Sequence, residues 1–490
     1  MIAKFFKAAL LGVCILLAAA VALYAVSRHW PIPEAQRQAL AQLRQPLPPL
    51  RGANMFQALW SLSYAIPEAQ RETVLAQDVE RFNRLPDRVP FQSTAAGYRR
   101  LPRWPSTAPA RCTASTGGCL QRVREQPQAY ADALATQAAL LARMRALADY
   151  ADYADYRSPL RPRVDTPLPE LPRMPLSMTA SALDFVQGRS TQALSGVCTD
   201  AQVARVLMRS SDNLAITMIG AAMLRGNAQL FADMLAELPA QQSLPAHCAA
   251  AFAPATTQEI SLCQALHGES RMVFSLLQDV RPPHDDRGWL ERVAPQLLDR
   301  ERTQALLAPT FTWACSAPVL AVLAQDRALP QDSVPVPETT SVACVANASG
   351  CLLASVSRPD YANYQHKLQD TAAALRAIST MLWLRDHPAD ATPLAQRLAA
   401  LPPALRGQAR PLQVDGDGKH LILVQYARRE DGTGDYRWPL PASRITEERQ
   451  ANAIQSRRRY AMGTTHPSDM SWQQRVAAAR LQRIVSADIR

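Results

Sequence analysis

Nineteen consecutive uncharged, mostly apolar residues, Ala8 to Val26, decide how this chain can begin to fold. At ~1.5 Å per residue they match the ~30 Å hydrocarbon core of a bilayer, which predicts a transmembrane anchor at residues 8–26 after a cytoplasmic stub at 1–7. Lys4 and Lys7 precede the run and only Arg28 follows it closely. The positive-inside rule then keeps the N-terminus in the cytoplasm. The expected location is a bacterial inner membrane, crossed once, with the bulk of the chain periplasmic. A cleaved signal peptide is the competing expectation, because Ala20-Val21-Ala22 resembles a cleavage triplet. Against it, the run exceeds the usual ~7 to 15 residues and the bulky Leu23-Tyr24 follow the cut. Cys14 has Val13 before it, where a lipoprotein needs a small residue, so it is expected as a membrane-buried thiol.

At 490 residues the chain exceeds a single core, and two or three domains are expected. With 48% hydrophobic residues, wholesale disorder is excluded. Only 18 glycines and many Ala-Leu-Arg-Gln segments favour helix. The predicted class is mainly α: a single N-terminal transmembrane helix, an irregular periplasmic helical bundle and a small C-terminal antiparallel β-hairpin or three-stranded sheet. A net charge of +11 suggests an anionic partner, yet the lysines are only Lys4, Lys7, Lys367 and Lys419. The arginines lie beside acids, as in Glu68, Arg71 and Glu72, which marks solvated helix faces, and no nucleic-acid partner is expected.

Eight further cysteines, an even number in a chain directed to an oxidising space, predict disulfides. Cys112–Cys119 and Cys344–Cys351 each enclose six residues, with Gly before the second Cys. A Pro follows each eight residues later (Pro127, Pro359), so both are expected as local rings at helix entrances. Counting alone leaves about a hundred connectivities. Sequence proximity suggests Cys248 with Cys263, leaving Cys198 with Cys315. No C-x2-C or nearby His pair accompanies the rings, so no metal and no cofactor are expected.

The prolines divide the rest. Residues 27–50 are expected as a proline-rich juxtamembrane spacer, 51–160 as an N-terminal helical region, 161–180 as a linker and 181–328 as a central helical bundle. Residues 329–443 are expected as a helix plus β-hairpin cap, and 444–490 as a basic tail with a terminal helix at Ser471–Ile484. Within them, Phe56, Trp60 and Tyr64 fall on one helix face, and a helix from Pro127 to Tyr153 carries Leu134, Ala138, Leu141, Met144 and Leu147 inward. Both these aromatics and Tyr150, Tyr153 and Tyr156 are expected in the core. Separate helices are expected over Asp212–Leu224 and Asn227–Leu238, divided at Gly226-Asn227. Period-two patterning appears at Pro411–Asp415 and His420–Tyr426 around the turn Gly416-Asp417-Gly418, with a third strand at Tyr436–Leu440.

Candidate chemistry is sparse. His284-Asp285-Asp286 stands on a proline-flanked loop and reads as a solvated turn. His267-Gly268-Glu269-Ser270 lacks the second glycine and the strand of a nucleophile elbow. Asn347-Ala348-Ser349 matches a glycosylation triplet, of little weight in a chain whose arginine-rich composition suggests a bacterium. The expected function is therefore a non-catalytic binding or scaffold protein of the cell envelope with a protein partner there. The alternative is a periplasmic hydrolase of envelope polymers with a site assembled from dispersed carboxylates or histidines.

Overall fold

The apolar run lies within one helix, Ile2–Arg28, about 40 Å long. It is long and apolar enough to cross a membrane, and its most apolar window is buried nowhere against the rest of the chain. Only its last turn joins the body. Ser27 is fully buried and its hydroxyl accepts a hydrogen bond from the Ala346 amide at 2.8 Å. Arg302 donates to the carbonyl oxygens of Arg28 (2.6 Å) and Trp30 (2.7 Å), which no helix bond would otherwise satisfy.

The computed structural model describes residues 2–46, 49–86, 89–114, 117–154, 166–279, 294–356, 360–388, 392–428 and 435–440. Over these the chain is mainly helical, with one three-stranded antiparallel sheet. Buried apolar side chains from Ala39 to Trp438 form one contiguous core. A second stretch, Arg300–Ala324, also has the length and hydropathy of a membrane span, but half of its apolar window is buried. The 3-10 turn Trp313–Cys315 interrupts it, and Leu306, Leu307 and Phe311 face the core, as in the interior helix of a globular body.

Residues 27–50 are not a spacer. Pro33 precedes the helix Glu34–Leu43, whose Ala39, Leu40 and Leu43 are buried against the Arg300–Thr312 helix. Pro33 stands at the N-cap of this helix, and Pro46 and Pro49 come after its end. The body therefore begins at the end of the apolar helix.

Three long helices form the centre: Ser190–Ser210, Leu214–Glu237 and Tyr361–Asp386. Asn213 caps the second by accepting from the Ile216 amide, and Asp360 caps the third by accepting from Asn363. Leu214–Glu237 packs between the other two. The break expected at Gly226-Asn227 is absent. Asn227 instead donates to the Met223 carbonyl at 3.0 Å, and Gly226 abuts the first cysteine ring. A Cβ there would stand 2.9 Å from Ala114 Cα, so the glycine serves close approach rather than a turn. A break does occur at Gly188, whose φ of 80° follows the helix Leu176–Val186 and separates it from Ser190–Ser210. That helix begins inside the stretch expected as a linker.

The helix expected from Pro127 to Tyr153 is divided into Pro127–Ala135, Ala138–Arg145 and a 3-10 turn at Ala146–Asp149. Thr136 donates back to the Ala133 carbonyl, and buried Gln137 turns in to donate to Arg103 O. Leu134, Leu141, Met144 and Leu147 are buried as expected, and the break puts Leu140 in the core in place of the exposed Ala138.

All four disulfides lie in the body. Cys112–Cys119 and Cys344–Cys351 form the two local rings. The other pairs are Cys198–Cys248 and Cys263–Cys315, not Cys248–Cys263 and Cys198–Cys315. The helix His247–Ala251 lies on Ser190–Ser210, placing Cys248 4.9 Å from Cys198 between Cα atoms. Cys263 opens the helix Cys263–Asp279, which packs on the 3-10 turn Trp313–Cys315 and brings Cys263 to 4.7 Å from Cys315 between Cα atoms.

The sheet pairs Gln413–Val414 with His420–Val424, and that strand with Asp435–Pro439. It is riveted to the long helix through Arg410, 3% exposed. Its guanidinium donates to Asp326 Oδ1 (2.6 Å) and Oδ2 (3.1 Å), to Asp370 Oδ1 (2.6 Å), and to the carbonyls of Gln369 and Val424. All five N–H groups are thus used. Arg376 shares Asp326, while the Tyr426 and Ala427 amides complete the shell of Asp370. The Tyr426 ring lies 3.9 Å from the Arg410 guanidinium carbon.

Asp200, on Ser190–Ser210, is the contrasting case. It is buried, one carboxylate oxygen has no hydrogen-bond partner, and burial pushes its pKa up to about 7. Because the folded value lies above the ordinary 3.8, the folded state holds the proton longer than the unfolded chain. Stability therefore falls from about pH 4 to about pH 7 and levels off above. Asp200→Asn is expected to gain about 4 kcal/mol at pH 8 and little at pH 4, checked by denaturant unfolding at both pH values. An equal effect at both would contradict this account.

Candidate functional site

Three elements meet around an open cleft of about 610 Å³: the first cysteine ring with the helix Cys119–Glu125, the far half of Leu214–Glu237, and the edge strand Asp435–Pro439. Arg225, Gln229, Asp233 and Glu237 line it at every fourth position, one face of a helix. Each is fixed by a neighbour. Arg225 donates to Thr371 Oγ1 (2.7 Å) and Lys367 O (3.1 Å), Gln229 donates to Asp233 Oδ1 (2.9 Å), and Glu237 pairs with Arg124 at 2.7 Å. Burial raises the Asp233 pKa, the Gln229 bond opposes the rise and Glu237 adds to it. Across the cleft stand exposed Arg437 and buried Trp438, whose indole N–H has no partner. Charges of both signs beside an aromatic wall suit a polar, peptide-like ligand. Glu237 is held by Arg124, which leaves Asp233 as the cleft carboxylate without an ion pair among the described residues.

This cleft lies outside the residues singled out from sequence. The signal for it is the four-residue spacing from Arg225 to Glu237, hidden when Gly226-Asn227 is taken as a turn. His267 and Ser270 sit inside the helix Cys263–Asp279 and have structural bonds: His267 Nε2 pairs with Leu43 O at 2.8 Å, and Ser270 donates to His267 O at 2.6 Å. Glu269 accepts from the Leu214 amide and starts the neighbouring helix. Phe56 is buried and Trp60 packs on it, its indole N–H donating to Asp78 at 2.8 Å. Tyr153 is wholly buried. Asn347, 2% exposed, accepts from Asp299 N and Thr303 Oγ1, a core role for the apparent glycosylation site. His284-Asp285-Asp286, Tyr156 and the Ser471 helix lie outside the described residues.

Two groups among the described residues bring metal-type donors together. In Cys198, His247 and Cys248 the sulfurs are bonded to each other. In Asp415, Asp417 and His420 the Asp415 carboxylate already accepts from the Lys419 and His420 amides and from His420 Nδ1, closing the hairpin turn. Both sets of donors are engaged by the fold. No family model matches the sequence, and no curated protein or solved structure is significantly similar to it.

Proposed function

We propose that this chain is a single-pass membrane protein whose helical, disulfide-bonded body faces an oxidising space outside the cytoplasm, the periplasm of a bacterium. There it acts by binding a protein partner. The observation that carries the membrane reading is the bare apolar helix, Ile2–Arg28, with no cover along its length and a last turn built into the body. Apolar side chains such as Leu16 and Val21, 71% and 67% exposed, need hydrocarbon around them. Four disulfides favour an oxidising compartment. The cleft supports binding: its charged groups are held in fixed positions by neighbours, the arrangement of a recognition surface.

Crosslinking in intact membranes followed by tagged capture tests this reading. The native chain is expected to retain a discrete partner that Asp233→Arg combined with Arg437→Glu loses. Unchanged capture by the charge-reversed chain, or turnover of envelope polymers by the purified protein, would overturn it.

A further inference from the structure

The second cysteine ring lies against the point where the apolar helix ends. The 3-10 turn Val342–Cys344 packs on that helix, and Ala346 donates to Ser27. The helix Ala348–Val356 follows at once, tied back to the turn by Cys344–Cys351. Its inner face, Gly350, Cys351 and Ala354, is buried against the start of the Arg300–Thr312 helix, the same turn from which Arg302 holds Arg28 and Trp30. This segment is therefore fixed relative to the end of the apolar helix.

Its outer face is apolar. Val342, Val345, Leu352, Leu353 and Val356 are exposed, Leu352 at 64% and Val356 at 69%. They are five of the ten exposed large apolar side chains outside the N-terminal helix among the described residues. Leu352 and Val356, four residues apart, fall on one side of the helix, and no charged residue occurs from Thr339 to Ser357. A clustered, uncharged face is uncommon on a water-facing surface, and its position adjoins the membrane exit. Trp30, 44% exposed at the same exit, is the side-chain type that settles among lipid headgroups.

We infer that Val342–Val356 is a second membrane contact, its helix lying in the boundary between headgroups and acyl chains beside the spanning helix. The inference rests on the membrane-spanning reading of Ile2–Arg28. With two contacts, the body is held in one orientation on the bilayer rather than swivelling on a single stalk.

The test places the photoreactive residue p-benzoylphenylalanine singly at Leu352, Val356, Ala18 or Val424 of the full chain. Each protein is reconstituted in phosphatidylethanolamine–phosphatidylglycerol vesicles. Val424 is the control, an exposed apolar residue of the sheet. Lipid adducts are expected at Ala18, Leu352 and Val356, and none at Val424. An adduct at Ala18 without one at Leu352 or Val356 would overturn this inference alone, as would adducts at those two sites to a second protein chain. No adduct at Ala18 would remove the spanning helix itself, and with it the basis for both readings.

Discussion

Arg410→Met is expected to cost about 3 to 5 kcal/mol of unfolding free energy, measured by denaturant titration of the full chain in detergent. The side chain is buried and satisfies two carboxylates and two carbonyls at once. Removing it leaves Asp370 buried with only two backbone amides as partners, those of Tyr426 and Ala427. Asp326 keeps Arg376, so the loss comes mostly from the Asp370 side. Adding Asp370→Asn to Arg410→Met should recover part of it, because the uncompensated charge is then gone. A loss below about 1 kcal/mol would mean that the cluster is no more than a surface ion pair.

The second large effect concerns the long-range disulfides. Cys198–Cys248 and Cys263–Cys315 close loops with sequence separations of 50 and 52, against 7 for each local ring. Loop-closure entropy then gives about 4 kcal/mol for each long loop and about 2.5 kcal/mol for a ring. Cys198→Ala with Cys248→Ala should accordingly lower the unfolding midpoint more than Cys112→Ala with Cys119→Ala. The reverse order would show that the rings stabilise by packing, for example through the contact of Ala114 with Gly226, rather than by chain entropy.

What the sequence made legible was local. The apolar helix, the predominance of helix and the glycine turn of the sheet each depend on residues within one window, where periodicity and turn chemistry act directly. Two kinds of feature escaped. Gly226-Asn227 looks like a stop, yet packing on the cysteine ring overrides the turn preference and keeps one continuous helix. With that helix cut in two, the row from Arg225 to Glu237 could not be seen, and so neither could the cleft. The pairing of Cys198, Cys248, Cys263 and Cys315 depends on which layer each segment occupies, a long-range property that proximity along the chain does not encode. The Arg410 cluster is of the same kind, since Asp326, Asp370 and Arg410 come from three separate elements.

An apolar N-terminal helix that is retained, set in a bilayer and continuous with an oxidised body is the central proposal. The most direct test is the intact mass of the chain extracted from membranes that have been washed with alkaline carbonate. Retention of the segment ahead of Ser27, together with a mass lower by the eight hydrogens lost on forming four disulfides, is the predicted result. A chain beginning near Leu23, released by the wash or carrying all its thiols reduced, would contradict it.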